Sequence, residues 1–350
     1  ALGVDKVHIP YGVMSRLAHT LREHSWTVCV KGEICGDTFR CMEICDPADT
    51  AIVGCAIDIG TTTVTMVFTD LTSGKLLAKG SSGNGQIRYG ADVINRIIES
   101  GRPGGKAKLQ NAIIKETLNP IIANLCKTAN INARSILRLS IGSNTTMNHL
   151  LLGVDADPVR MEPYIPSFFA WEGLKAGDLK LVANPLAPVV IAPNIGSYVG
   201  GDITAGTLAT GIWDKDEMSL FIDLGTNGEL VFGNRDFLMS CACSAGPAFE
   251  GGDISSGMRA TDGAVEAAVI DKDTMEPTLT VIGEPGQKVV GICGSGIIDM
   301  ISELFRCGII NARGLFAREG RRVKHDEHGM GRYVVAFAEE SETGREVSLN

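Results

Sequence analysis

Ala56-Ile57-Asp58-Ile59-Gly60-Thr61-Thr62-Thr63 and Leu220-Phe221-Ile222-Asp223-Leu224-Gly225-Thr226-Asn227-Gly228-Glu229 are two versions of one pattern. Each is an apolar run with a single Asp, one further apolar residue, Gly, then Thr. The two aspartates lie 223 − 58 = 165 residues apart, about the length of one domain. Residues 51–59 read as a buried strand entering a tight turn at Gly60, with a second strand at 64–70, a turn at 72–75 and a third strand at 76–79. A single strand-and-turn of this kind also arises in ordinary junctions, where Gly serves the turn and Thr the strand. Two copies a domain apart imply a duplicated α/β unit with a cleft between its halves.

The chemistry of such a pair suits a nucleotide polyphosphate. Backbone N–H groups must approach the phosphates closely, which Gly60 and Gly225 permit. Thr61, Thr62, Thr63 and Thr226 add hydroxyl donors, and Asn227 extends the second turn. Mg²⁺ takes oxygen ligands and retains several waters, so one carboxylate from each half, Asp58 and Asp223, suits a hydrated ion. Closure of the halves would then link nucleotide state to the angle between them.

Other segments fall into place around this pair. Residues 1–50 form a small lead-in unit, with a helix at 13–22 and a strand at 26–31. The next helical periodicity runs through Val93, Ile94, Ile97 and Ile98, then from Leu109 through Ile113 to Leu125, with a kink expected at Pro120. A strand at 137–141 leads through Asn144-Thr145-Thr146, read as a helix cap or a cleft-facing or partner-facing loop, into a helix bearing His149, read as a satisfied core histidine. Gly200-Gly201-Asp202 opens a small-residue helix reaching Thr210. Asp202 is either its N-cap or an acidic group beside the metal waters. Downstream, Gly294-Ser295-Gly296 leads into an amphipathic helix at 297–306 that stops at Gly308, and the glycine loop serves either ribose and phosphate or tight packing. Glu250 suits a ribose contact or a surface turn. The expected division is 1–50, 51–205 and 206–350.

Composition narrows the class. Hydrophobic residues make up 44% of 350, aromatics 5%, and there are 42 glycines, a mix that suits an α/β fold rich in tight turns. Lys+Arg total 32 against Asp+Glu 41, a net charge of −9, and no basic stripe is present, so nucleic acid is not an expected partner. The apolar stretches are too short for a membrane span and no signal peptide opens the chain, which points to the cytoplasm. Among the ten cysteines, Cys29, Cys35, Cys41 and Cys45 lack metal-ligand spacing and read as small buried thiols. Cys241, Cys243 and Cys293 are assigned to packing as well.

Six blocks occur in order: 58–63, 142–153 (Gly-Ser-Asn-Thr-Thr-Met-Asn-His-Leu-Leu-Leu-Gly), 199–203 (Val-Gly-Gly-Asp-Ile), 223–229, 243–251 (Cys-Ser-Ala-Gly-Pro-Ala-Phe-Glu-Gly) and 291–299. Together, over roughly residues 10–320, they resemble the reductive activators of corrinoid proteins, within the acetate and sugar kinase/heat-shock chaperone/actin superfamily. The resemblance implies an actin-like ATPase fold, two duplicated α/β subdomains around a nucleotide cleft, with Asp202 on the helix that bears an acidic residue near the metal waters. It implies ATP and Mg²⁺ as cofactors, and ATP hydrolysis coupled to reduction of Co(II) corrinoid to Co(I) on a partner methyltransferase or corrinoid iron–sulfur protein. It also implies an iron–sulfur cluster on a ferredoxin-like domain outside these residues. That cysteine pattern and the late adenosine loop are both missing, so the chain reads as a fragment whose second half is incompletely capped. Homodimerisation is left open. Two other readings compete on the same fold: a small-molecule kinase with Asp202 as base, and a filament or scaffold protein.

Overall fold

The computed structural model describes residues 3–225, 227–243, 254–326 and 329–350. Two compact units emerge, Ala1–Phe221 with Val231–Cys241 and Ile222–Leu230 with Ala242–Asn350. Among the described residues no helix is long and apolar enough to cross a membrane.

The first unit opens with β1 (Lys6–His8), α1 (Tyr11–Glu23), β2 (Cys29–Cys35) and β3 (Thr38–Cys45), a sheet of order β1-β3-β2 with α1 packed on β3. The strand expected from residue 26 starts later because Ser25 and Trp26 adopt left-handed backbone (φ 52° and 65°), which a strand cannot accommodate. Two buried charges tie this small sheet to the remainder of the unit. Glu43 accepts from Arg16 Nη1 at 3.0 Å, from Arg134 and from Asn184 Nδ2 at 3.0 Å. Lys31 Nζ reaches Asp49 at 2.7 Å and Ser135 Oγ at 2.9 Å. Such groups are tolerated in an interior only when paired and hydrogen-bonded in this way. Cys29 and Cys45 face each other across β2 and β3, Cys41 is buried, and burial pushes the Cys45 thiol up to about 11.

The main sheet of this unit has the order β6-β5-β4-β7-β8, from β4 (Val53–Ile59), β5 (Thr63–Asp70), β6 (Leu76–Gly83), β7 (Ile136–Ser143) and β8 (Val189–Ile191). β4, β5 and β6 form an antiparallel meander, while β7 and β8 run parallel to β4. Alternation decides its faces. Cys55, Ile57, Ile59, Val64, Met66, Phe68, Leu139 and Ile141 share one core with Ile97, Leu109, Ile113, Leu118, Ile122 and Leu125. Most of this second group comes from α2 (Val93–Gly101), α3 (Gly105–Ile113) and α4 (Asn119–Ala129). The break expected at Pro120 is a π-helical turn, Ile114–Leu118, just ahead of the proline, which cannot donate to the preceding turn. Ala56 and Asp58 point to the other, open face.

α5 (Thr145–Leu152) follows β7, and α6 (Asp157–Arg160) and α7 (Gly201–Thr210) follow in turn. His149 is the core histidine expected. It is fully buried, Nδ1 donates to the Thr145 carbonyl at 2.7 Å, Nε2 accepts from the Ser167 amide at 3.1 Å, and Phe168 stacks on the ring at 4.5 Å. Burial holds its pKa below the ordinary 6.5. A lowered folded pKa means the unfolded chain takes the proton first, so His149 stabilises fully above about pH 6.5 and loses that contribution as pH falls. His149→Gln should therefore cost about 1–3 kcal/mol at pH 7.5 and flatten the loss of stability toward pH 5.5. Urea unfolding at both pH values measures this; an equally steep acid loss in the variant would refute it.

The second unit holds β12 (Ala264–Ile270), β13 (Pro277–Val281) and β14 (Gly291–Ile292) in the order β13-β12-β14, with α8 (Gly294–Arg306) packed on β12. β15 (Val323–His325), β16 (Gly331–Ala336) and β17 (Val347–Leu349) form an antiparallel sheet. Val265, Ile292, Ile297, Met300, Leu304, Tyr333 and Val335 make their common core. Between α7 and β12 run β9 (Ser219–Leu224), β10 (Gly228–Gly233) and β11 (Leu238–Cys243), in the order β11-β10-β9.

Candidate nucleotide site

Asp58 sits in register with Thr65 on β5 and Gly142 on β7, on the open face of the first sheet. One residue later the strand ends in a tight turn closed by Gly60 N–H donating to the Thr63 carbonyl at 2.9 Å. A Cβ on Gly60 would stand 2.7 Å from that carbonyl oxygen, so glycine is required there. Thr63 is exposed and Thr62 half-buried, both beside the Asp58 face. Thr61 is buried, and its Oγ accepts from Asn144 Nδ2 at 3.1 Å. Three neighbouring threonines thus have different surroundings, which no periodicity could separate.

α7 crosses the same face. Its N-cap position is Gly200, so the reading of Asp202 as the cap is corrected. Asp202 lies in the first turn, where a carboxylate complements the helix dipole, and its Oδ1 accepts from the Ile203 amide at 2.8 Å. Glycines set how close the helix comes. A Cβ at Gly200 would lie 2.5 Å from the Asn144 Cα and one at Gly201 2.3 Å from the Ala192 carbonyl oxygen, whereas one at Gly142 would make only ordinary contact, 3.6 Å from the Ala205 Cβ and 3.9 Å from the Asp202 Cα. The backbones carrying Asp58 and Asp202 therefore both flank Gly142. Asn144 caps α5 through its Oδ1, which accepts from the Met147 amide at 2.9 Å, as one reading of this block expects. What the sequence did not reveal is the layer behind the turn, Asn84 and Arg96, whose only sign is an arginine between Ile94 and Ile97 in an apolar helix.

In the second unit, Asp223 is half-buried on β9 and burial raises its pKa. Gly225 N–H donates to the Asn227 carbonyl at 2.9 Å, and among the described residues an added Cβ there would meet nothing nearer than 3.8 Å. Among the described residues, the two glycines that look alike in sequence thus have different surroundings. Thr226 and Glu250 lie outside the described residues, as does the 243–251 block beyond Cys243. Gly294 opens α8 with Ser295 exposed beside it. Gly296 is explained by packing, since a Cβ would stand 2.0 Å from the Val265 carbonyl oxygen. Cys293 is buried as expected, but Cys241 and Cys243 are exposed, because β11 presents its whole length to solvent.

This α/β architecture is the actin-like ATPase fold of the ASKHA class. The RACo middle region matches residues 53–215, and the C-terminal domain of RACo, the ASKHA domain, matches residues 217–350; the chain belongs to the RACo family. A solved structure described as a reductive activator for corrinoid, iron–sulfur protein is 40% identical, with a TM-score of 0.84 over 98% of this chain and 55% of its own. The corrinoid activation enzyme RamQ of Eubacterium limosum is 37% identical over 85% of this chain and 51% of its own length. The [Co(II) methylated amine-specific corrinoid protein] reductase of Methanosarcina barkeri is 31% identical over 35% of this chain and 26% of its own. The chain spans about half the length of the first two.

Proposed function

We propose that this chain is the ATP-binding and ATP-hydrolysing part of a cytoplasmic activator that drives reduction of a Co(II) corrinoid on a partner protein to Co(I). The observation that carries the reading is the open face where Asp58 lies between Thr65 and Gly142, beside a turn that only glycine can make and under the helix bearing Asp202. The residues there fit a hydrated Mg²⁺ and a polyphosphate: an acidic group, close backbone approach and the hydroxyls of Thr62 and Thr63. When bound, the metal would neutralise charge on the phosphates. Asp58 would hold its waters, Asp202 would orient a water by accepting its proton, and Asp223, the counterpart of Asp58 in the repeat, would add the second carboxylate. Gly225, Thr226, Asn227, Gly294 and Ser295 are assigned to nucleotide contact in the second half.

The electron would come from an iron–sulfur cluster on a domain outside this chain, one electron per cobalt. ATP can shift that reaction only by its different affinity for two states of the activator, and the partner must reciprocally alter nucleotide affinity. The names of the relatives support a corrinoid protein as partner. Using the full-length protein, a low-potential reductant and a Co(II) corrinoid protein, Co(I) absorbance should appear only with ATP, and hydrolysis should quicken when the partner is added. Phosphorylation of a small hydroxylated metabolite, with the corrinoid protein altering neither turnover nor nucleotide affinity, would replace this reading by a kinase.

A further inference from the structure

We propose that Arg96 is a positioning residue for the 60–63 turn, keeping it in the shape that receives an anion and joining it to α5; this rests on the reading of that turn as part of the nucleotide site. Arg96 is fully buried on α2 and reaches three separate segments. Nη2 donates to the Thr61 carbonyl at 2.6 Å, Nε to the Gly90 carbonyl at 2.9 Å, and Nη1 to Met147 Sδ at 3.4 Å. Burying a guanidinium costs desolvation, which its charge-assisted hydrogen bonds offset.

Asn84 works from the same side. Its Nδ2 donates to the Gly60 carbonyl at 2.9 Å and its backbone N–H to the Thr62 carbonyl at 2.8 Å. The carbonyls of three consecutive residues, Gly60, Thr61 and Thr62, are therefore all engaged by Asn84 and Arg96. Carbonyl oxygens repel phosphate and N–H groups attract it, so a turn whose carbonyls are held away is the form an anion can approach. Asn144 adds a link from the turn to α5 through Thr61, and its Cα abuts Gly200 at the start of α7. A cation hydrogen-bonded to the turn supplies both shape and positive potential. Asn84 and Asn144 supply shape alone.

The test compares full-length wild type, Arg96→Gln and Arg96→Lys for binding of ATP and adenosine by calorimetry, and for kcat and KM of hydrolysis. Losing a charge-assisted bond to the turn should weaken ATP binding by Arg96→Gln about 10-fold or more, with adenosine affinity unchanged. Arg96→Lys keeps the charge but not the three-way reach and should lie between. Should the glutamine variant fail to fold, Arg96→Lys carries the test, with a loss of about 3-fold for ATP and none for adenosine. A folded variant that binds ATP as wild type does, or loses ATP and adenosine affinity in equal proportion, overturns the proposal while leaving the nucleotide reading intact. Wild type that binds no ATP overturns both.

Discussion

Asp58→Asn should lower Mg-ATP hydrolysis by the full-length protein about 100-fold while leaving its unfolding midpoint nearly unchanged. The side chain lies on the solvent-facing side of β4, whereas the strand's hold on the core comes from Cys55, Ile57 and Ile59 on the other side. Asparagine has the same shape and keeps the β4 pairing with Thr65 and Gly142. What it lacks is the negative charge that would order metal-bound water. Phosphoryl transfer depends on positioning and charge neutralisation more than on covalent help, so the loss should appear in kcat and in the Mg²⁺ concentration required. Steady-state hydrolysis across a magnesium titration, with a melting curve on the same sample, measures both. A rate within about 3-fold of wild type would remove Asp58 from the site.

Gly200→Ala should destabilise the first unit by about 2–4 kcal/mol. The added methyl carbon would fall 2.5 Å from the Asn144 Cα and 2.6 Å from the Thr145 amide nitrogen. Both are backbone atoms at the N-terminus of α5, so no side chain can rotate away to make room. Relief requires α7 to lift from β7, and Asp202 rides on the first turn of α7. The same variant should therefore lose hydrolysis beyond what its unfolded fraction accounts for. Gly211→Ala is the control: that glycine ends α7 with φ 68° and, among the described residues, an added Cβ meets no atom within 4 Å, so its cost is local backbone strain, about 1 kcal/mol, with Asp202 in place. Urea unfolding of both variants separates the cases. Equal stability and equal activity would show that close contact at Gly200 has no bearing on the site.

Much of this protein was determined by local sequence. The strand ending at Ile59, the small-residue helix from Gly201 to Thr210 and the amphipathic helix to Arg306 are visible because period and turn chemistry act between residues a few positions apart. The repeat at Asp58 and Asp223 is visible for the same reason. Tertiary structure decided the rest. It set Thr61 inward against Asn144 and left Thr63 exposed, although all three threonines are equivalent along the chain. It set an added Cβ 2.7 Å from the Thr63 carbonyl oxygen at Gly60 but 3.8 Å from the Asn227 carbonyl oxygen, the nearest atom among the described residues, at Gly225, although both turns close on a carbonyl of their own. It brought Arg96 to Thr61 across 35 residues and Asn144 across 83. It also turned Cys241 and Cys243 outward, against the expectation from their small-residue surroundings. In each case the deciding contact comes from backbone geometry or from a segment distant in sequence, and a hydrogen bond acts over about 3 Å of space whatever the length of chain between its partners.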